Sequence, residues 1–534
     1  MQYSRTYWLI LLIVISTVLG FVRVIQLQII SGKEYREQAD RNRLFTRYIP
    51  APRGIFYDRH GVMLVRNVPL YKKTTVETEN AAYPMFVEIT SEEAITLLAR
   101  DEKNIFIDQQ RRYSFGPALS SVLGYIGEVT VDEIKKNSRL YIGESVGKAG
   151  LEKVLQDALV GTTGKEVFEM HATGKLLRSV LKENPIPGTD IHLTIDASFS
   201  AYAYELLGGR KGSVIASNPS TGEVYALVSS PSYDPHAIAA ALLDKNAPFL
   251  NRSIGGLYPP GSTFKIITAL AGLKRGVITK DTTVKDEGKI DIGEFTFRNW
   301  LFTQHGKTEG EIGIVRALQR SNDIFFYKAA EWIGPEVLAS FARTFHFGKS
   351  TNIELSGEVD GVVPDPEWKQ RVIGEQWYLG DTYHMGIGQG DVLVTPLQLN
   401  QMTAAIANKG VWCEPHIKQD TKIRCEEIGI SEEHLRIVLD GMKAACASGG
   451  TAFPFFDGKP AITACKTGTA EFGPADAKGR RKTHGWFTVI APADRPTIVM
   501  TVLIEGDEEK KFVEGSSDAA PIAKKLLTRW FEGK

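Results

Sequence analysis

The chain has no excess of charge of either sign: 63 Lys and Arg stand against 63 Asp and Glu in 534 residues. That balance excludes a polyelectrolyte binder, because nucleic-acid-binding domains carry a basic surplus, so no nucleic acid is expected as a partner. Cysteine is scarce, with Cys413, Cys425, Cys446 and Cys465 alone. None forms a CxxC pair, so the common zinc and redox spacings are missing. A chain this long builds a core without a disulfide scaffold. Most of the four are expected to be small buried apolar residues, and the spacing leaves open whether any two bridge. Repeats and low-complexity tracts are missing as well. The 43% hydrophobic content and mixed charge exclude a largely disordered chain, and the length predicts two to four domains.

Long apolar runs are missing, with one exception. Residues 8–22, WLILLIVISTVLGFV, carry no charge, and apolar character resumes after Arg23 as far as Ile30. The clean run is short of the ~20 residues that cross a hydrocarbon core, and tilt with snorkelling of Arg23 closes the gap. No small-x-small cleavage site follows, so residues 1–30 are expected to be an uncleaved transmembrane signal anchor, not a removable leader or a buried helix. Only Arg5 precedes the run, whereas Arg23, Lys33, Arg36, Arg41, Arg43 and Arg47 follow it. A plain positive-inside count would keep the large C-terminal part in the cytoplasm, although the rule is weak for long translocated domains.

Past the anchor, residues 31–47 predict a charged helix continuing it, and 50–64 predict loop, strand, turn and strand. KAGLEKVLQDAL (148–159) has the spacing of an amphipathic helix. ENPIPG (183–188) marks a boundary, dividing the rest into 31–187 and 188–534. Beyond it, 190–196 alternates as a strand and 197–208 reads as a helix. Residues 212–230 and 487–506 read as hairpins around Pro-containing turns, and 521–531 is a closing helix. The fold class is therefore α+β and multidomain.

The chemistry centres on Ser262-Thr-Phe-Lys265. A serine and a lysine three apart on a helix share one face, so the amine can take the proton of an otherwise weak nucleophile. The Pro-Pro-Gly ahead suits a helix start, which puts the serine near the positive end of the dipole. Ser-x-x-Lys also occurs at Ser145/Lys148 and Ser179/Lys182. Only Ser262 opens a long apolar helix; glycines follow Ser145 and a Pro-rich boundary follows Lys182. Downstream stand Ser321-Asn322-Asp323 and the chain's one Lys466-Thr467-Gly468, followed by Thr469, on a strand edge whose small residues admit a ligand backbone. Ser-x-x-Lys, Ser-x-Asn-type and Lys-Thr-Gly motifs in that order are the signature of penicillin-binding proteins and serine β-lactamases.

The chain resembles a class B, monofunctional penicillin-binding protein nearly end to end. NRLFTRYIPAPRGIFYDRHGVML, GYIGEV (124–129) and GKAGLEKVLQDALVGTTGKE (147–166) resemble its N-terminal pedestal, and NRSIGGLYPPGSTFK (251–265) its nucleophile segment. GEVDGVVPDPEWKQ, WYLGDTYHMGIGQGDVLVTPLQL (377–399) and Asp323 as third residue of the second motif resemble the elongation-type, rod-shape transpeptidases. The resemblance implies a transmembrane anchor, a mixed α/β pedestal or dimerisation domain at 31–187, and a penicillin-binding transpeptidase domain at 188–534 with an antiparallel sheet flanked by helices. It implies that Ser262 is acylated by a D-Ala-D-Ala stem peptide, with Lys265 as base and Lys466 lowering its pKa. Ser321 would relay a proton and Asp323 orient it. Thr467, Gly468 and Thr469 would bind substrate, and the Ser262 and Thr469 N–H groups would form the oxyanion hole.

No cofactor is expected. Some elongation-type relatives bind zinc, and Asp286 and His305 resemble two of the ligands. The other two positions hold Asn299 and Leu318, short of a tetrahedral set, so no metal is expected. No glycosyltransferase domain fits before residue 185, which implies an integral-membrane glycosyltransferase as partner. The substrate's location implies a cytoplasmic N-terminus and an extracytoplasmic catalytic domain, against the plain positive-inside count. A D,D-carboxypeptidase or β-lactamase, in which water resolves the acyl-enzyme, is the enzyme alternative. A β-lactam sensor is the non-enzymatic one.

Overall fold

The computed structural model describes residues 2–75, 85–100, 102, 105–137, 140, 143–171, 175–456 and 461–533. The chain divides into two compact units that share the N-terminal sequence between them. One comprises Met1–Gly54, Asn67–Arg112 and Asp157–Thr189, and the other Ile55–Arg66, Tyr113–Gln156 and Asp190–Lys534.

The first unit begins with a helix, Gln2–Ile25, that runs on through a π-helical turn at Gln26–Ile30. Its stretch Arg5–Ile30, 26 residues, is long and apolar enough to cross a membrane. At 1.5 Å per residue it measures about 39 Å, against ~30 Å of hydrocarbon. Arg23 does not interrupt it, because its guanidinium donates to Gln26 Oε1 at 2.8 Å along the same helix. The charged helix expected over 31–47 stops at Arg43. Leu44–Ile49 is a strand, because Leu-Phe-Thr-Arg-Tyr-Ile suits a half-buried pleat and pairs antiparallel with Gly164–Met170. Leu176–Glu183 completes that sheet, so Ser179 and Lys182 lie on a strand and not on one helix face.

The segment expected as one helix over 148–159 is broken. It forms Gly150–Val154 and then Gln156–Leu159, after an extended Ala149. Ser145 sits in the strand Ser145–Gly147. Of the strand expected at 190–196, only Ile191–His192 forms one, paired in parallel with Phe56–Tyr57.

The core of the second unit is a five-stranded antiparallel sheet of β1 (Gly212–Ser217), β2 (Val224–Ser230), β3 (Ala464–Phe472), β4 (Lys482–Ala491) and β5 (Ile498–Ile504). The order is β2-β1-β5-β4-β3, so the two expected hairpins are β1–β2 and β4–β5, and β3 is an edge. Along β5, Ile498, Met500, Val502 and Ile504 enter one apolar cluster, while Val499 and Leu503 enter the other. This is the two-residue period of a strand covered on both faces. One cluster includes α1 (Ala197–Leu207) and the C-terminal helix Ala520–Glu532. The other includes α2 (Lys265–Arg275), α3 (Asp323–Ile333) and α4 (Pro396–Ala407). A further helix, α5 (Glu432–Cys446), packs beside β3.

The structure decides the bridging that the spacing left open: all four cysteines are bonded, Cys413 to Cys425 and Cys446 to Cys465. Cys425 is exposed, unlike the other three. The reason is placement in the fold. Cys413 and Cys425 face each other in the hairpin Val411–Cys413 with Cys425–Glu427, and the end of α5 lies against the start of β3.

Candidate active site

The Ser262 segment is held from both sides. Gly261 has φ +55°, and a Cβ there would come within 2.8 Å of the Thr469 carbonyl on β3, so the position needs glycine. Gly261 N donates to the Gly388 carbonyl at 2.8 Å, and the Trp486 indole N–H donates to the Pro259 carbonyl at 2.9 Å. Ser262 itself lies in a 3₁₀ turn, Gly261–Phe264, one turn earlier than the α-helix that begins at Lys265. It is half-buried.

Lys265 opens α2 and is fully buried. Its ammonium donates to Asp323 Oδ1 at 2.6 Å, to the Ser321 carbonyl at 2.7 Å and toward Ser321 Oγ at 3.4 Å. Lys466, fully buried on β3, donates to the same Ser321 Oγ at 2.8 Å and to the Thr467 carbonyl at 3.0 Å. Ser321 is thus clasped between two lysines. It occupies the left-handed region, φ +54°, as the C-cap of the helix Ile314–Arg320, a conformation a non-glycine residue keeps only when its surroundings impose it. Asn322 caps α3 by accepting from Phe325 N at 3.0 Å. Asp323 is the first residue of α3, and its Oδ2 accepts from Trp300 N at 3.0 Å.

Burial weakens the hold of both amines on a proton. Burial pushes Lys265 below the ordinary lysine pKa, and the Asp323 carboxylate only partly restores it. Lys466 is pushed well below, by burial first and then by the charge of Lys265. Two desolvated amines facing one carboxylate do not both hold a proton comfortably.

Thr467 donates to Thr451 Oγ1 at 2.7 Å, and Gly468 packs against Trp486, Pro260 and Thr263. Thr469 faces outward, with its carbonyl taking a long contact of 3.4 Å from Gln389 Nε2. The free edge of β3 can receive an extended peptide as a further strand. All eight residues expected at the site therefore converge: Ser262, Lys265, Ser321, Asp323, Lys466, Thr467, Gly468 and Thr469. Sequence reasoning missed Thr451, Gln389 and Trp300, and named Asn299 only as a position compared with a zinc ligand. Gln389 stood in a quoted family-like segment, but a small polar residue such as Thr451 in a Gly- and Ser-rich loop carries no signal of its own.

The positions compared with zinc ligands do not fit a metal. Asp286 is taken up by four N–H donors, His305 is exposed, and Leu318, in the core, has no donor atom. Among the described residues no group of three or more His, Cys, Asp or Glu could hold an ion.

Comparison with known proteins agrees with the geometry. The profile described as "Penicillin binding protein transpeptidase domain" matches residues 212–528, and that described as "Penicillin-binding Protein dimerisation domain" matches 103–193. A peptidoglycan D,D-transpeptidase MrdA of Acinetobacter baumannii is 30% identical over 604 residues, covering 99% of this chain and 87% of that protein. The chain belongs to the penicillin-binding protein transpeptidases.

Within this family it falls with the elongation-type members that its sequence resembles. Two solved members share its architecture. The penicillin-binding protein PBP2 of Helicobacter pylori, in complex with MreC, has a TM-score of 0.79 at 25% identity, covering 92% of this chain and 99% of that one. A chain from a study of a peptidoglycan synthase complex, which coordinates polymerization and crosslinking, has a TM-score of 0.78 at 28% identity, with 99% of both chains covered.

Proposed function

We propose that this membrane-anchored protein is a peptidoglycan D,D-transpeptidase of cell-wall elongation, with Ser262 as its nucleophile. The observation that carries the reading is Ser321 clasped between the buried amines of Lys265, which opens the helix that follows the Ser262 turn, and Lys466, on the edge strand β3. Lys265, neutral, takes the Ser262 proton as Oγ bonds to the carbonyl carbon of the penultimate D-Ala. The N–H groups of Ser262 and Thr469 stabilise the oxyanion. The C–N bond to the terminal D-Ala then breaks, its nitrogen receiving a proton through Ser321, with Lys466 and Asp323 holding that relay in line. Thr467 and Thr469 bind the terminal carboxylate, and Gly468 lets the peptide lie close against β3. The amine of a second stem peptide attacks the ester, so that a C–N bond forms, the C–O bond breaks and Ser262 recovers its proton. A β-lactam follows the first half of this path and stalls as the ester.

The catalytic domain is assigned to the extracytoplasmic side, with the N-terminus in the cytoplasm. Two disulfides suit an oxidising compartment, and the substrate lies outside the membrane. An integral-membrane glycosyltransferase supplies the polymer; the similarity to a member of a complex that polymerises and cross-links supports that partner. The N-terminal region, about residues 31–187, serves as pedestal, and 188–534 as the catalytic domain.

A fluorescent penicillin is expected to label the full-length protein and not Ser262→Ala; a labelled variant would overturn the nucleophile. Fast release of hydrolysed β-lactam would favour a hydrolase instead. Protease sensitivity of the large domain in spheroplasts tests the orientation, and protection there would reverse it.

A further inference from the structure

Behind the second motif lies a carboxylate the mechanism does not use. Asp286 is 2% exposed, and no cation pairs with it among the described residues. Its Oδ1 accepts from Gly288 N at 2.8 Å. Its Oδ2 accepts from Asn322 Nδ2 at 2.7 Å, Asn299 Nδ2 at 2.8 Å and Glu309 N at 3.1 Å. Asn299 and Asn322 are fully buried. A buried carboxylate without a countercharge is costly unless its lone pairs are filled, and four N–H groups fill them here.

These donors are not scattered. Asn322 is the middle residue of Ser321-Asn322-Asp323, and with its Nδ2 fixed on Asp286 its Oδ1 stays turned to cap α3 at Phe325 N. Asn299, with its Nδ2 also on Asp286, presents Oδ1 to Asp323 N at 3.3 Å. The next residue, Trp300, gives its backbone N–H to the Asp323 carboxylate at 3.0 Å and its indole N–H to the Arg320 carbonyl at 2.8 Å. Asp286 is therefore bonded to two side chains whose other ends meet the first turn of α3, Asn299 at Asp323 N and Asn322 at Phe325 N. Ser321, left-handed, lies between Asn322 and Arg320, whose carbonyl takes the Trp300 indole N–H.

We infer that Asp286 is a positioning residue for transpeptidation: a metal-free hydrogen-bonding hub that holds Ser321 and Asp323 against Lys265. It does with four N–H donors what a cation would do with ligands, and the donor set at this place no longer fits a cation. The inference rests on the transpeptidase reading. In that reading Asp286 touches no reacting atom, so its loss slows the acylation step without weakening the initial encounter with a β-lactam.

The test uses the full-length protein in detergent. Asp286→Asn keeps the shape, but its amide group turns N–H toward at least one of the present donors. The acylation rate constant for a fluorescent penicillin is expected to fall about tenfold, as for the loss of hydrogen bonds to a charged group, with the dissociation constant of the noncovalent complex unchanged within about twofold. Asn299→Ser keeps a small polar side chain but cannot span from Asp286 to Asp323. It is expected to lower the same rate constant about threefold to tenfold, and it decides the matter if Asp286→Asn does not fold. Elemental analysis of the wild type is expected to find less than about a tenth of an equivalent of zinc. Unchanged acylation in the folded variants overturns the hub. So does about one equivalent of zinc whose removal by a chelator abolishes labelling. A wild type that takes no penicillin label would instead overturn the transpeptidase reading, so the two failures are distinguishable.

Discussion

Replacing Cys446 and Cys465 by alanine opens a loop that braces the active site. The two residues are 19 apart in sequence, and closing a loop of that length removes about 3 kcal/mol of chain entropy from the unfolded state. The catalytic unit holds about 400 residues. With an unfolding entropy of ~2.1 cal/mol/K per residue, the loss lowers its melting temperature by about 4 °C. The loop does more than close. Thr451 within it accepts the Thr467 hydroxyl, and the carbonyls of Ser448 and Gly449 accept from Gln319 at 3.3 Å and Arg320 at 2.9 Å, immediately before Ser321. Cys465 itself directly precedes Lys466. The double variant should therefore acylate more slowly as well as melt earlier. The Cys413→Ala/Cys425→Ala variant is the control. Its loop of 12 residues contributes nearly the same entropy, but the hairpin it closes holds none of the motif residues, so acylation should stay at the wild-type rate. Calorimetry and stopped-flow penicillin labelling measure the two effects. Wild type treated with a reductant should approach a protein lacking both bridges. Alkylation of cysteines in the denatured but unreduced protein would refute the bonding. Equal melting temperatures and equal acylation rates in the Cys446/Cys465 variant would refute the brace.

Three further perturbations follow from the same geometry. Asp323→Asn removes the charge that holds the Lys265 proton, so the lysine pKa falls further and the acid limb of the acylation pH profile should move to lower pH; a shift to higher pH would contradict the pairing. His484 is buried and its pKa is pushed down from 6.5 to about 4. The folded chain then binds the proton less readily than the unfolded one, so stability is intact above pH 6.5 and falls as pH drops toward 4, by up to about 3 kcal/mol. His484→Gln, which keeps an acceptor for Gly506 N, should flatten that decline in denaturant titrations at pH 7 and 5, and parallel declines would exclude His484 as the cause. Gly261→Ala places a Cβ 2.8 Å from the Thr469 carbonyl at a left-handed position; it should cost at least about 1 kcal/mol and slow labelling, and a variant equal to wild type in both would show that the turn relaxes freely.

Much of the site was legible because its chemistry demands particular residue types at short spacings. Ser262 and Lys265 lie one helical turn apart, and Lys466-Thr467-Gly468 announces a strand edge by its small residues. The hairpins β1–β2 and β4–β5 were legible from the composition of their Pro-containing turns. The helix limits were less so. Residues 44–47 joined a strand because Gly164–Met170 lies alongside, and 148–159 broke at Leu155 into two short helices.

The sequence by itself determined the motifs, their order, the apolar anchor and the class of chemistry, because each is local and written in side-chain type. Only the tertiary structure decided which groups distant in the chain meet: both lysines on Ser321, across 56 and 145 residues, Thr451 on Thr467, Asp286 behind Asn322, and the cysteines in pairs. Burial likewise belongs to the fold. A lysine in a sequence is a cation, and Lys265 becomes a candidate base only where packing removes its water.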